Sequence, residues 1–350
     1  REEIVQALAY LTIPALIGPI LGPPVGGFIT TYFHWRWIFW INVPIGALGI
    51  VLSTLYIPNI RERDVGPLDI KGFLLSGIGL SLLIFGITVY GQGLVPRSLT
   101  AAAIGVGGIG LVLYALHARR TPAPIIDLKL LNVATFRTNI LGGFLFRIGV
   151  GAVPFLLPLM LQVGFGLSPL QSGSLTFMAA AGALMMKLTA APIIRRFGFR
   201  RVLTLNAVWS ALLLGLCALF TADTSSVVIM AVLLVGGFFR SLQFTALNAI
   251  AFADLKPAEM SRATSFVSVV QQLSVSTGVV VGAFVLDTTR SLRGDSALTQ
   301  PDFGVAFAVV AAISATTALV NLQLAPDAGA EVSGHRRAPE PIPSQARPAR

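Results

Sequence analysis

The sequence predicts an all-α integral membrane protein, and three of its properties lead to that prediction. Hydrophobic residues make up 55% of the 350 residues and charged residues only 11%, whereas soluble domains carry about 25% charged residues. The mean hydropathy is +0.80. Apolar stretches of about 18 to 25 residues recur along the chain, the length that a helix needs to cross a bilayer.

Ten such stretches follow one another, and the connections between most of them are short, as between neighbouring antiparallel helices. In chain order they are Ala7 to Thr30, Ile38 to Ile57, Gly72 to Tyr90, Leu99 to Leu116, Ile140 to Val163, Ser174 to Ile194, Val202 to Phe220, Val227 to Ala251, Phe266 to Leu286 and Val305 to Leu324.

The first stretch carries glycines four residues apart, at Gly18, Gly22 and Gly26, together with Pro23 and Gly27. Small residues at this spacing form a flat strip that lets another helix approach closely, and proline bends a helix. Such a helix can seal an interface in one state and pivot in another. Close packing without a gating role is the alternative interpretation.

The glycine pattern has an echo 256 residues further on, where Gly278 and Gly282 correspond to Gly22 and Gly26. The first and ninth stretches are therefore predicted to be equivalent helices of two repeats. If each repeat holds six helices, both are fifth helices, and we expect a fragment that lacks four helices before Arg1. The predicted organisation is the last two helices of an N-terminal bundle at 1–57, an inserted two-helix region at 58–135, a C-terminal six-helix bundle at 136–325 and a disordered cytoplasmic tail at 326–350.

The basic residues lie asymmetrically about the predicted spans. Of the 25 lysines and arginines, 18 fall on the side of the N-terminus, and only Arg36, Arg97, Arg290 and Arg293 fall on the other. This positive-inside bias predicts that both ends are cytoplasmic. It also attributes the net charge of +10 to topology, with membrane lipids as partners rather than nucleic acid.

Residues that could carry metal or covalent chemistry are sparse. Cys217 is the only cysteine, the three histidines have no ligand spacing, and neither a phosphate-binding loop nor a nucleophile motif occurs. We therefore expect no metal site, no cofactor and no enzymatic activity.

Three segments carry a resemblance to a known family. The run of residues 18–27 resembles the antiporter motif of the major facilitator superfamily. The run from Trp35 to Gly46, WRWIFWINVPIG, resembles the junction of the fifth and sixth helices in its fourteen-helix drug:proton antiporter branch. The third segment, Arg196-x-Gly198-x-Arg200-Arg201, resembles the second copy of the family's cytoplasmic loop signature.

The resemblance extends from Arg1 to Leu324 and implies a major facilitator fold with helices 5 to 14 of 14. It further implies an antiporter of the bacterial inner membrane that exports lipophilic drugs in exchange for protons, by alternating access of two bundles. The proton gradient would be the energy source. A periplasmic adaptor protein is a further candidate partner beside the small-molecule substrate.

One position departs from the loop signature, since Arg195 stands where the family usually has aspartate. The ion pair expected there is therefore in question. Anchoring by the positive-inside rule alone is the alternative for these arginines.

Two arginines, Arg147 and Arg240, lie well inside predicted spans. A charge at the centre of a membrane helix costs about 2.5 to 3.5 kcal/mol on insertion scales, so each needs a partner. All 15 acidic residues fall in loops, in the tail or at span ends. We assign both arginines to a substrate or ion pathway, together with the in-span amides Gln243, Gln271 and Gln272.

Two other functions stay open. The arginines without an acidic partner would also suit an exporter of an anionic metabolite. From another class, the chain could be a non-transporting membrane component or an inactive truncated product.

Overall fold

The computed structural model describes residues 22–58, 69–89, 95–121, 124–256, 259–294 and 297–335. These residues form helices and no strand, which confirms the predicted all-α class. Eight described helices are long and apolar enough to cross a membrane, and Pro169–Phe197 qualifies as a ninth when its two bent parts count as one span. The first predicted span lies mostly outside the described residues, but its end is helical over 22–32.

The helices are numbered here in chain order. They are α1 over 22–32, α2 Trp37–Tyr56, α3 Ile70–Val89, α4 Arg97–Arg120, α5 Ala134–Gly164, α6 Pro169–Phe197, α7 Phe199–Leu219, α8 Ser226–Ala251, α9 Met260–Arg293, α10 Gln300–Asn321 and the short α11 Ala330–Ser333.

Helix α9 extends well beyond the predicted stretch from Phe266 to Leu286. Hydropathy identifies only the apolar part of a helix, and the polar residues before Phe266 continue it. For example, the Thr264 hydroxyl donates to the Met260 carbonyl at 2.8 Å. The helix ends at Gly294, whose φ of 73° is left-handed, a conformation that glycine adopts without strain.

Two prolines change the end of α5. Pro154 and Pro158 lie inside the helix and remove backbone donors. The segment Met160–Gly164 then forms a single π-helical turn, and the Phe165 N–H donates to the Met160 carbonyl at 3.0 Å. Such turns absorb an irregularity without ending the span.

Helices α5 to α10 pack into one bundle built on two close crossings, α5 with α9 and α6 with α8. A methyl group added to Gly278 would overlap the Ile148 carbonyl oxygen, and one added to Gly237 would overlap the Ala179 carbonyl oxygen. The bundle consists of two successive sets of three helices, α5 to α7 and α8 to α10. If each helix is replaced by its counterpart in the other set, the crossing of α5 with α9 becomes the crossing of α8 with α6. An internal three-helix repeat has this property.

Helices α3 and α4 form a separate hairpin, in which Gly79 and Gly107 allow their backbones to touch. Its end docks on the bundle through Tyr114. The Tyr114 hydroxyl accepts the Ile126 N–H at 2.7 Å and donates to the Ile126 carbonyl at 3.0 Å. By contrast, none of the residues of α2 is buried by the described part of the chain.

The segment after α10 corrects a prediction. We expected disorder from residue 326, but residues 326–335 have a defined conformation that includes α11. Gly329 lies against the ring of the buried Phe199, and the His335 Nδ1 bonds to the Arg195 carbonyl at 2.9 Å. Glycine at 329 leaves the space that the Phe199 ring occupies. Residues 336–350 lie outside the described residues.

Candidate functional site

Arg147 of α5 is completely buried, with 0% of its surface exposed. Its Nη2 donates to the Asn248 Oδ1 of α8 at 3.0 Å, and its guanidinium lies 5.6 Å from the ring centre of Phe244. Within the described residues its Nε and Nη1 have no hydrogen-bond partner. The guanidinium is therefore held by neutral groups and keeps two buried donors for a further ligand.

Gly143 makes the position of this guanidinium possible. The Arg147 side chain runs back along α5, and a methyl group added at Gly143 would overlap its Nη1. Residues four apart on a helix lie on one face, so any side chain at 143 would compete for this space. The sequence-based interpretation did not identify this role.

Arg240 occupies a different place. It lines a narrow cavity of about 30 Å³ between α5, α7, α8 and α10, beside Cys217, Ser210 and Ser314. Such a volume holds one or two water molecules and is too small for a drug. Arg147 is not among the residues that line this cavity.

Gln243 is buried and faces α7, where the Asn206 Nδ2 donates to its Oε1 at 2.9 Å. Further amides join neighbouring helices: the Asn139 Nδ2 donates to the Leu247 carbonyl at 2.6 Å, and the Asn321 Nδ2 to the Leu203 carbonyl at 2.9 Å. The sequence interpretation missed these three asparagines as contacts, although an amide inside a membrane helix is a signal for one.

A polar stripe runs along one face of α9. It comprises the exposed residues Ser261, Thr264, Ser265, Ser268 and Gln272. These residues recur at three- and four-residue spacing, so they share one side of the helix. Gln271 lies at the edge of the stripe and is partly exposed. The predicted pathway residues therefore occupy three places: Arg147, the bundle interior with Arg240 and Gln243, and the stripe.

The glycine motif of α1 makes one close contact. Gly18 lies outside the described residues. Among those that the structure describes, none has an atom within 4 Å of a methyl group added at Gly22 or Gly26. At Gly27 such a group would lie 2.6 Å from the Pro169 carbonyl oxygen of α6. In return, a methyl group at Gly173 of α6 would overlap the Pro23 carbonyl oxygen.

The second copy of the glycine pattern packs inside the bundle. Ser274, Gly278 and Gly282 of α9 are all buried, and Gly282 lies beside Leu156 of α5. The same residue pattern thus serves close packing in its second copy and meets α6 in its first.

The loop signature connects α6 to α7. Gly198 has a φ of 73°, and its N–H donates to the Ile194 carbonyl at 2.8 Å, which ends α6 and allows α7 to start at once. Arg196 lies 5.5 Å from the Phe197 ring centre. Arg200 and Arg201 follow in the first turn of α7.

Four acidic groups in the described residues form ion pairs away from these arginines. Asp69 pairs with His117, Asp127 with Arg262, Asp287 with Arg290 and Asp302 with Arg293, all near helix ends. None of these ion pairs involves Arg147 or Arg240. A counter-charge for either arginine would have to come from outside the described residues.

Comparisons with known proteins agree on one family. A family model, Major Facilitator Superfamily, matches residues 1–122 and 140–348. A relative named "Putative multidrug resistance protein MdtD", from Escherichia coli strain K12, is 34% identical over 344 residues. These residues are 96% of this chain and 72% of that protein. Proteins of the same name from Escherichia coli O9:H4 strain HS and Shigella boydii serotype 4 strain Sb227 give the same values.

Proposed function

Because the chain belongs to the major facilitator superfamily, we propose that it is a proton-coupled exporter of lipophilic drugs or other toxic compounds. The chain is a multi-pass inner-membrane transporter of a small molecule rather than an enzyme. The multidrug resistance in the names of its relatives supports drugs as the substrate class. The proton gradient is the proposed energy source.

The polar stripe of α9 carries this proposal. An amide group that faces hydrocarbon is costly, yet Gln272 is exposed inside the predicted span. It lies in line with Ser265 and Ser268, whose hydroxyls donate to carbonyls of the helix. A face of this kind is favourable where it lines a water-filled passage. Apolar walls with a few hydrogen-bonding groups are also what a drug site needs.

Alternating access requires a contact between bundles that can open. We assign this role to the motif Gly18, Gly22, Pro23, Gly26 and Gly27, whose described part meets α6 at Pro169. The contact consists of backbone against backbone without a hydrogen bond between the two helices in the described residues, so it can separate at little cost. We place both ends of the chain in the cytoplasm on the basic-residue bias. A periplasmic adaptor stays a prediction.

Arg147 favours a second candidate function, export of an anionic metabolite. Its Nε and Nη1 are buried and have no partner within the described residues. A substrate carboxylate that reached either donor would form a charge-assisted hydrogen bond with it.

Transport by inverted membrane vesicles that contain the chain tests both candidates. We expect an imposed pH gradient, with the vesicle interior acidic, to drive uptake of a lipophilic cationic dye. A protonophore should abolish that uptake. Gradient-driven uptake of organic acids without dye uptake would favour the second candidate. Vesicles that take up neither compound would contradict both, provided that the chain is inserted in the membrane.

A further inference from the structure

A groove opens where α6 ends, α7 begins and the chain leaves α10. Its volume is about 1230 Å³. One wall carries Arg200 and Arg201 of α7, and the opposite wall carries Asp327 and Glu331 of the segment after α10. The groove lies outside the pathway residues discussed above.

The two walls are held in a fixed relation. Phe199, which is 2% exposed, packs against Gly329, and His335 bonds to the Arg195 carbonyl. A side chain at Gly329 would overlap the Phe199 ring. The segment after α10 therefore contacts α7 at Phe199 and α6 at Arg195.

The charged groups of the groove are balanced but do not pair. Two arginines and two carboxylates line it, yet no described residue forms a hydrogen bond or an ion pair with any of these four side chains. The lining thus offers cationic donors on one side and anionic acceptors on the other.

Apolar side chains form the rest of the lining. Phe197, Leu205 and Leu322 line the groove and are exposed, Leu205 by 63%. Leu205 lies on the same face of α7 as the exposed Trp209 and Leu212, one and two turns further along the span. The groove therefore joins the charged end of the bundle to its lipid-facing surface.

We propose that this groove binds a phospholipid whose headgroup carries a primary ammonium. Arg200 and Arg201 bind the phosphate. Asp327 and Glu331 accept the ammonium. The acyl chains follow Leu205 and Leu322.

Charge decides among the possible lipids. The formal charges of the four charged side chains sum to zero, which suits a zwitterionic headgroup better than an anionic one. An anionic headgroup would lie beside Asp327 and Glu331 without a positive group to pair with them. A choline headgroup has no N–H donor for these carboxylates. The segment 336–350 is a poorer occupant, since its four arginines would face Arg200 and Arg201.

Native mass spectrometry of the delipidated chain, offered equal amounts of phosphatidylethanolamine, phosphatidylcholine and phosphatidylglycerol, tests the proposal. We expect phosphatidylethanolamine to be retained most. Replacing Arg200 and Arg201 with glutamine should lower its retention about fivefold per arginine. The pair Asp327→Asn and Glu331→Gln should leave phosphate binding but remove the preference over phosphatidylcholine.

Arg119 and Arg120, at the end of α4 and outside the groove, provide the control. Their replacement with glutamine should leave retention unchanged, and so should deletion of residues 336–350. Equal losses in the control would show unspecific attraction to basic residues and overturn the proposal. Preferred binding of phosphatidylglycerol, or tighter lipid binding after the deletion, would also overturn it. Helix content by circular dichroism verifies that each variant is folded.

Discussion

At the scale of single residues, Arg147 is the most unusual group in the part of the chain that the structure describes. A fully buried arginine in a membrane helix is costly unless its donors are satisfied, yet its described partners are one amide and one aromatic ring. Its buried Nε and Nη1 remain available to a ligand or a counter-charge. This arrangement is expected of a group that acts during transport rather than one that only stabilises the fold.

Gly143 should control the position of this guanidinium. We predict that Gly143→Ala lowers transport about tenfold or more, because small misplacements of a reacting or binding group have effects of this order. Arg147→Ala should abolish transport, and Gly105→Ala, at a position open to space, should have no effect. Initial rates of dye efflux at equal expression measure this. Wild-type rates in Gly143→Ala would show that Arg147 tolerates displacement.

At the scale of helices, the contact between α1 and α6 distinguishes neighbouring glycines of one motif. Only Gly27 places its backbone against Pro169, whereas Gly26 faces open space within the described residues. We predict that Gly27→Val reduces transport severalfold while the bundle α5 to α10 keeps its thermal stability, because overpacking acts locally. Gly26→Val is the matched variant, and an equal loss of transport there would contradict a role specific to this contact.

The hairpin of α3 and α4 contains an ion pair that should depend on pH. Burial raises the pKa of Asp69. Hydrogen bonds from the Gly72 N–H and from His117, together with the electrostatic attraction of His117, lower the pKa by more, so it lies below its usual value. A depressed carboxyl pKa stabilises the fold above the unfolded value of about 3.9. That contribution is lost as the pH falls through the folded pKa.

Thermal unfolding of the purified chain between pH 7 and pH 3 measures this contribution. We predict that the wild-type chain loses more stability on acidification than Asp69→Asn, whose side chain cannot titrate. Asp287→Asn, at a residue that is about half exposed and pairs with Arg290, is the control. Parallel acid profiles for the wild type and Asp69→Asn would contradict a stabilising role for the pair.

At the scale of the whole molecule, the sequence predicts the spans well, whereas the contacts of the candidate site residues depend on the fold. Hydropathy locates nine described spans because each needs a long apolar segment. It underestimates α9, since Thr264 and Ser265 are polar but satisfy their hydroxyls within the helix. It also cannot place Arg240 and Gln243 in the bundle interior, because that depends on which helices are neighbours.

The proposed transport pathway requires that the polar stripe of α9 lines a water-filled passage. Cys217, the only cysteine of the sequence, is buried, so a Cys217→Ser background allows single cysteines to be introduced at Ser265, Ser268 and Gln272. Leu212 and Leu319, which are 55% and 65% exposed on apolar faces, provide controls.

The decisive measurement is the rate at which a membrane-impermeant maleimide labels these cysteines in membranes accessible from both sides. We predict rapid labelling at the three stripe positions, slowed by a bound lipophilic substrate, and little labelling at the two leucine positions. Labelling at the stripe as slow as at the leucines would show that this face of α9 meets lipid or protein, and would contradict the proposed pathway.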